Sequence, residues 1–207
     1  MKQAYHHKDL RNALVDEALA ILAAEGAGEI TLRELARRLG VTHTAPYAHF
    51  ADKKSLLEAI ADEGFARLSD GLSRAGSAEP DPGERFVAQG LAYIQFAREN
   101  PNLYRLMFAD AELSNSPDAQ WCDEADRAFD QLIGSLNAIG LPEGTDVRHV
   151  AFATWAMVHG VAMLEIDRRF EGKSAHMALV AAPNGDEIVR LLSNVLLLGL
   201  RAGHTGS

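Results

Sequence analysis

The sequence predicts an all-α fold. Its periodic segments are dominated by Ala, Leu, Glu and Arg, which are good helix formers. Only seven prolines occur in 207 residues, and no alternating β-branched run is long enough to indicate a sheet. Hydrophobic residues make up 47% of the chain, enough for one large helical domain or a small domain joined to a larger one.

Two amphipathic helices are predicted at the N-terminus. The first begins near Asp9, whose carboxylate can cap the first turn, and it ends at the glycines of 26–28. The second opens at Thr31, which forms a capping-box pattern with Glu34, and it ends at Gly40. The apolar residues of the second helix share one face: Leu32, Leu35, Ala36 and Leu39.

A third helix of about two turns is predicted from Thr44 to Phe50. Pro46 limits its length, because proline lacks the amide hydrogen and is accepted only near a helix start. Asp52 caps a fourth helix, and the Gly/Ser/Pro-rich stretch 71–83 is expected to be the first clear loop. The second and third helices with the turn between them form a helix-turn-helix, a motif that places a short helix in the major groove of DNA.

Further helices are predicted near 84–99, 102–109, 117–139, 146–170 and 185–202. The last two are apolar nearly all round, and in a soluble protein such helices are covered on more than one side. We therefore expect a homodimer that buries the helices near 146–170 and 185–202, because a two-fold partner supplies the missing cover.

Charge is unevenly placed along the chain. The net charge is −9, yet residues 1–60 carry eight basic and eight acidic side chains and are neutral. Within 31–55, five basic residues face only two acidic ones. A basic patch on an acidic protein favours oriented, specific DNA binding over general adhesion to nucleic acid.

Composition also predicts the compartment. The single cysteine, Cys122, excludes an internal disulfide and fits a reducing cytoplasm. Residues 1–10 are polar, so we expect no signal peptide. The longest uncharged apolar stretch, 149–164, is shorter than the roughly 20 residues of a membrane span, so we expect a soluble cytoplasmic protein without a membrane partner.

No pattern indicates an enzyme. Gly172-Lys173-Ser174 is similar to the end of a phosphate-binding loop, but Asp167 stands where the first glycine is required and a predicted helix precedes it. The sequence contains no nucleophile elbow, and its cysteine and histidines lack zinc-site spacing. We expect no catalytic residues, no cofactor and no bound metal.

Three segments resemble one protein family. TLRELARRLGVTHTAPYAHFADKKSLLEAI, at 31–60, closely resembles the DNA-binding domain of the TetR/AcrR family of bacterial transcriptional regulators. YHHKDLRNALVDEAL, at 5–19, is similar to the YHHGDLR opening of many members, with Lys8 in place of the usual glycine. WAMVHGVAML, at 155–164, resembles the Trp-x-x-x-His-Gly signature of one C-terminal subgroup.

The resemblance implies a helix-turn-helix DNA-binding domain at 1–55 and a C-terminal ligand-binding and dimerisation domain of about six helices at 56–207. It implies a ligand-responsive regulator, which we expect to be a repressor that binds a palindromic operator as a dimer and is released by a small hydrophobic effector. The alternative is an effector-independent regulator whose C-terminal domain serves only dimerisation or protein docking.

The resemblance also implies which residues contact double-stranded DNA. Arg33 aligns with a base or phosphate contact, Tyr47 with a phosphate contact, and Lys53 with a phosphate clamp. We favour this role for Tyr47 over a place in the core, and we expect Arg37 and Arg38 to form a solvated face. The full predicted set is Thr31, Arg33, Thr42, His43, Thr44, Ala45, Tyr47, His49 and Lys53.

Candidate ligand residues are predicted in the C-terminal domain. Trp155 and His159 lie on one helix face, where they either line a cavity or form a packed core with a hydrogen-bonded histidine; apolar helical stripes favour the core. Trp121 lies in the acidic region 110–130 and could attract a cationic effector, although such a run is more often a solvated face. The predicted ligand set is Tyr104, Met107, Phe108, Trp121, Trp155, His159 and Met163.

Overall fold

The computed structural model describes residues 7–108, 123–171 and 184–204. Within these ranges the chain is helical and forms no β-strand, which confirms the predicted all-α fold. Short 3-10 turns occupy Ala27–Glu29, Ala45–Ala48 and Arg169–Glu171. The α-helices are α1 (His7–Glu25), α2 (Leu32–Leu39), α3 (Lys53–Ser77), α4 (Pro82–Glu99), α5 (Pro101–Met107), α6 (Asp123–Ile139), α7 (Val147–Ile166) and α8 (Gly185–His204).

The described residues group into two compact units. The N-terminal unit comprises 7–65 and 100–108, so α5 belongs to it although α5 follows α4 along the chain. The C-terminal unit comprises 66–99, 123–171 and 184–204. The chain therefore passes from the second unit back to the first between Glu99 and Asn100.

Helix α2 begins and ends where its capping residues predict. The Glu34 amide donates to Thr31 Oγ1 over 3.1 Å, and Gly40 closes the helix with a φ of 67°, a left-handed conformation that favours glycine. The predicted apolar face is buried at Leu32, Leu35 and Ala36. Local sequence signals therefore suffice to define this helix.

The predicted two-turn third helix is wrong. The segment forms a single 3-10 turn, Ala45–Ala48, in which the Tyr47 amide donates to Thr44 O and the His49 amide to Pro46 O. Pro46 is buried and lies in the first turn of this segment, where its missing amide hydrogen removes no helical hydrogen bond, so proline alone does not explain why the segment is so short. The structure thus presents a four-residue recognition turn, Ala45–Ala48, rather than a helix.

The predicted loop at 71–83 is shorter than expected: α3 continues to Ser77 and α4 begins at Pro82, so only 78–81 lies between helices. The predicted start of α3 is confirmed: the Ser55 amide donates to Asp52 Oδ1 over 2.8 Å. The glycines that suggested a loop lie within the helix, and Gly76 is buried against Gln89 of α4. A β-carbon on Gly76 would lie 2.9 Å from Gln89 Nε2, so glycine permits close helix packing here.

Arg38 joins α2 to α1 through two carboxylates of α1 and also binds one of its own helix. Its guanidinium donates to Glu34 Oε1 over 2.8 Å, to Glu25 Oε1 over 2.7 Å and to Glu17 Oε1 over 3.4 Å. Glu34 also accepts two hydrogen bonds from Arg37. Arg38 is therefore not merely part of a solvated face, since it ties two helices together.

The C-terminal unit is built around α4, which packs against α6, α7 and α8. Phe86, Leu136 and Ala151, one from each of α4, α6 and α7, form a buried core cluster. Facing pairs along α4 and α7 advance in the same direction, from Phe86 and Ala151 to Tyr93 and His159. The two helices therefore run parallel.

Helices α7 and α8 expose apolar side chains within this unit. On α8, Leu191, Val195 and Leu198 are each at least 60% exposed, and their spacing of four and three residues places them on one stripe. On α7, Phe152 and Leu164 are also exposed. Helix α7 is long and apolar enough to cross a membrane by length and composition, a property that it shares with helices covered by a partner subunit.

We predict that Glu34→Gln weakens the link between α1 and α2 and flattens its acid dependence. Hydrogen bonds from Arg37 and Arg38 lower the pKa of Glu34 from 4.5 to about 2. The stabilisation by the ionised carboxylate is therefore full above about pH 4.5 and is lost as the pH falls through about 2. Thermal unfolding followed by circular dichroism from pH 2 to 7 should show a lower melting temperature for Glu34→Gln at pH 7 and a smaller loss on acidification. Glu29→Gln, which removes an exposed carboxylate of the same unit, is the control; superimposable profiles for all three proteins would contradict the prediction.

Candidate nucleic-acid interface

The predicted DNA-contact residues lie on or beside the recognition turn of the N-terminal unit. Arg33 on α2 is exposed, as are the residues that lead into the turn, and Tyr47 is 51% exposed. A core position for Tyr47 is therefore wrong, while its phosphate role stays a prediction. Three members of the set are half-buried rather than exposed: Ala45, His49 and Lys53.

The recognition turn is anchored by apolar residues on its inner side. Pro46 and Phe50 are buried, whereas Thr42, His43 and Thr44 are exposed. The Ala45 amide donates to Thr42 O over 3.0 Å, and the hydroxyls of Thr42 and Thr44 lie 3.3 Å apart. The residues that lead into the turn thus present hydroxyl and imidazole groups, and Ala45 adds a methyl group; such groups suit base edges and the thymine methyl.

Two family models match the chain, one on each side of the α3–α4 connection. Residues 14–60 match the model described as bacterial regulatory proteins, tetR family. Residues 86–183 match the tetracyclin repressor-like, C-terminal domain. The chain belongs to the TetR family.

Relatives of this TetR-family protein cover most of its length. The HTH-type transcriptional regulator BetI of Rhizobium meliloti is 28% identical over 73% of this chain and 75% of its own. The nucleoid occlusion factor SlmA of Vibrio vulnificus is 29% identical over 64% of this chain and 67% of its own. These matches identify a DNA-binding transcriptional regulator and not an enzyme.

Solved structures match the whole fold. A protein of unknown function from Rhodococcus sp. RHA1 is 31% identical, covers 96% of this chain and 99% of its own, and gives a TM-score of 0.76. The TetR-family regulator PfmR of Thermus thermophilus is 22% identical over 90% of this chain and 98% of its own, with a TM-score of 0.61. The second likeness supports the fold alone.

Lys53, the predicted phosphate clamp, already has partners within the N-terminal unit. Its Nζ donates to Ala27 O over 2.9 Å and to Gly28 O over 3.3 Å. These carbonyls belong to the turn between α1 and α2, so the ammonium holds that turn against the start of α3. An ammonium has three N–H donors, which leaves one for a phosphate oxygen.

The start of α3 carries the negative charge of Asp52 beside the two lysines. The carboxylate of Asp52 caps the helix, and the backbone amide of Ser55 lowers the pKa of Asp52. The positive end of the helix dipole is therefore partly neutralised before DNA arrives. Lys54 lies beside it, is 43% exposed, and pairs loosely with Glu58 over 3.8 Å.

Arg11 is a cation near the recognition turn that lies outside the predicted set. Its guanidinium carbon lies 5.3 Å from the centroid of the Phe50 ring, where a cation is attracted to the aromatic face. Arg11 is exposed and belongs to α1. The signal available in the sequence was its place in the YHHKDLR segment, whereas its contact with Phe50 depends on folding.

The predicted ligand residues are divided between the two units. In the N-terminal unit Tyr104 is fully buried, and the Phe108 ring lies 4.9 Å from that of Tyr104 and 5.3 Å from that of Phe65. Met107 is also buried there, and Trp121 lies outside the described residues. The common ligand role of the set stays a prediction.

In the C-terminal unit, His159 has two described neighbours. Its Nδ1 lies 3.4 Å from the hydroxyl of Tyr93, and its ring lies 5.4 Å from that of Trp155. Burial lowers the pKa of His159, because it disfavours the charged imidazolium. The contact with the Tyr93 hydroxyl is the hydrogen bond that a core histidine requires. Met163, in the same helix, is half-buried. Tyr93 was missed because it lies 66 residues from His159 in sequence.

A pocket elsewhere in the C-terminal unit contains none of the predicted ligand residues. It is open, has a volume of about 290 Å³, and lies where the α3–α4 and α6–α7 connections meet α8. Its lining is Asp81, Pro82, Gly83, Ile139, Gly140, Leu197 and Leu200.

We predict that Lys53→Ala lowers both thermal stability and DNA affinity, whereas Lys54→Ala lowers DNA affinity alone. Lys53→Ala removes the hydrogen bonds to Ala27 and Gly28, so its melting temperature should fall together with its DNA affinity. Lys54→Ala should leave melting unchanged and reduce the slope of log affinity against log salt by about one for each head. Fluorescence anisotropy at four salt concentrations, with melting curves beside it, measures both. An unchanged salt slope for Lys54→Ala would show that Lys54 makes no phosphate contact.

Proposed function

We propose that this TetR-family protein is a homodimeric, ligand-responsive repressor that binds a palindromic operator through the recognition turn and is released by a small hydrophobic effector. The DNA-binding part is the region 1–55, and the region 56–207 provides dimerisation and ligand binding. In this proposal the protein acts on DNA in the cytoplasm, without a membrane partner.

The observation that carries this proposal is the exposed surface at Arg33, Thr42–Ala45 and Tyr47. It is polar and held from behind by buried Pro46 and Phe50. One such surface offers too few contacts for specificity, so two copies on a palindrome are required. Arg11, Lys53 and Lys54 add positive charge at its edges, which positions the protein on the backbone without reading sequence.

The exposed stripe on α8 supports the homodimer. Leu191, Val195 and Leu198 would each remain in water in a monomer, although burial of such a side chain contributes about 1.5–3 kcal/mol. The neighbouring helix α7 exposes Phe152 and Leu164 as well. Members of this family generally dimerise, which agrees with a second copy as the cover.

The effector role rests on the match to the C-terminal domain of the family. Effector release requires that the ligand bind the DNA-incompetent state more tightly than the competent one, since equal affinity shifts nothing. The alternative is an effector-independent regulator whose C-terminal region only dimerises or docks a protein. His159 packs against Trp155 and forms a hydrogen bond with Tyr93. These are the contacts of a packed core, which supports this alternative.

Selection of bound sequences from a random DNA pool tests the proposed function. We expect one enriched palindrome, with half-sites about 34–36 Å apart or a multiple of that spacing, since two heads must reach one face of the duplex. A screen of apolar small molecules should then release it. A palindrome that no compound releases would favour the effector-independent alternative, and a pool without enrichment would refute sequence-specific binding.

We predict that the double substitution Leu191→Glu/Leu198→Glu dissociates the dimer. Two carboxylates per protomer would be buried against apolar surface, so dimer affinity should fall about a hundredfold or more. Sedimentation velocity across a concentration series measures this. Asn137→Glu, which adds one charge at an exposed position of α6, should leave the dimer intact. A dimer unaffected by the double substitution would place the interface elsewhere.

A further inference from the structure

The open pocket between Asp81, Ile139 and Leu197, which we call the α8 pocket, contains none of the residues that we assign to DNA or to the effector. It has a volume of about 290 Å³, and its whole lining belongs to the C-terminal unit. Its floor is aliphatic, because Leu197 and Leu200 of α8 are buried beside the half-buried Ile139 of α6. This volume lies at the lower end of the range for ligand pockets and suits a small molecule with an apolar body.

The mouth of the α8 pocket carries one carboxylate. Asp81 is the charged residue of the lining, and it is also the exposed one. Its Oδ1 accepts a hydrogen bond from the Glu84 amide over 2.9 Å and so caps the start of α4. A carboxylate has two oxygens and about four acceptor sites, so this cap leaves Asp81 able to accept a donor from a ligand.

Gly83 keeps the space between the carboxylate and the floor open. A β-carbon on Gly83 would lie 3.1 Å from Asp81 Oδ1 and 3.6 Å from Leu197 Cδ1. Both neighbours line the α8 pocket, so a side chain at this position would enter the pocket. Gly83 lies in the first turn of α4, where other residues fit the helical backbone. The pocket can therefore be filled by substitution without a change of backbone conformation.

The charges around the α8 pocket favour a cation over an anion. One wall is the carboxyl end of α6, at Ile139 and Gly140, where the negative end of the helix dipole attracts positive groups. The positive end of α4 is offset by the carboxylates of Asp81 and Glu84. The guanidinium of Arg85 is bound to carbonyls of the α3–α4 connection. The chain after residue 60 also carries the whole net charge of −9, so its field attracts cations.

We propose that the α8 pocket binds small amphiphilic amines, with the apolar body on Leu197, Leu200 and Ile139 and the ammonium at Asp81. The ammonium donates a hydrogen bond to the Asp81 carboxylate, and the aliphatic floor covers the rest of the molecule. A neutral analogue keeps the apolar contacts and loses the ion pair, whereas an anionic analogue is repelled by Asp81. This site goes beyond the proposed function, because binding of the amine requires neither DNA nor the interior around Trp155 and His159.

Three probes of one shape and different charge test the site on the full chain: cyclohexylmethylamine, cyclohexylmethanol and cyclohexanecarboxylate. Saturation-transfer NMR at pH 7 measures their affinities. We expect the amine to bind about two- to fivefold more tightly than the alcohol, as an exposed ion pair allows, and the carboxylate to bind least. High salt should remove the preference for the amine, since it screens the exposed charge. In methyl-labelled protein the amine should shift the methyl signals of Ile139, Leu197 and Leu200.

Asp81→Asn tests the charge without removing the cap, because asparagine also accepts the hydrogen bond at a helix start. Its affinity for the amine should fall about two- to fivefold, to that of the alcohol, and its affinity for the alcohol should not change. Asp146→Asn makes the same exchange at the cap of α7, where Asp146 Oδ1 accepts from the Arg148 amide over 2.9 Å. This control should bind all three probes like the wild type.

Gly83→Leu tests the location, because the added side chain occupies the pocket and should abolish binding of both the amine and the alcohol. Gly134→Leu adds the same side chain at an exposed glycine of α6, where a β-carbon meets no atom within 4 Å, and should bind like the wild type. Melting curves check the fold of each variant. Gly83→Ala, which should weaken both probes, replaces Gly83→Leu if the latter is unfolded.

Four results would overturn the proposal. An amine that does not bind, or that binds no more tightly than the alcohol at low salt, would remove the role of the carboxylate. A preference for the amine that survives Asp81→Asn would assign the charge contact to another residue. Binding that survives the substitution of Gly83 would place the ligand outside the α8 pocket. Methyl shifts confined to Val161 and Met163 would place the amine beside His159 instead.

Discussion

The attachment of α2 to α1 is the constraint on which the DNA-binding surface depends. The recognition turn has only four residues, which is too short to be stable as a helix of its own. It is held by the buried face of α2 and by Arg38, which reaches carboxylates on both α1 and α2. Lys53, at the start of α3, donates a hydrogen bond to Ala27 O in the turn between α1 and α2. The groups that we propose to contact DNA are therefore positioned by residues outside the proposed contact set.

The distribution of charge and apolar surface separates two roles along the chain. The first 60 residues are neutral and the rest carry the whole charge of −9, so the acidic part disfavours adhesion to DNA outside the recognition surface. The apolar excess lies instead on α7 and α8, where we propose that it forms the interface between two copies. Specific binding requires both, because a small recognition turn gains selectivity only when two are linked at a fixed spacing.

The features that the sequence predicted well are those with a local cause. The caps at Thr31 and Asp52 and the left-handed Gly40 each follow from residues within four positions of one another. Gly71 and Gly76 indicated a loop, but α3 continues through both of them. Gly76 packs against α4, and a single sequence does not reveal such a contact. The contacts of Arg38, Lys53 and Tyr93 join distant segments, so their residue types were visible but their partners were not.

The affinity ratio between a palindrome and a single half-site tests the central claim most directly. Linked heads on a rigid dimer should bind the palindrome about 10²–10⁴ times more tightly than the half-site, through the effective concentration of the second head. The ratio is measured by titrating both duplexes at one salt concentration. A ratio near two, the statistical value for two independent sites, would contradict the account.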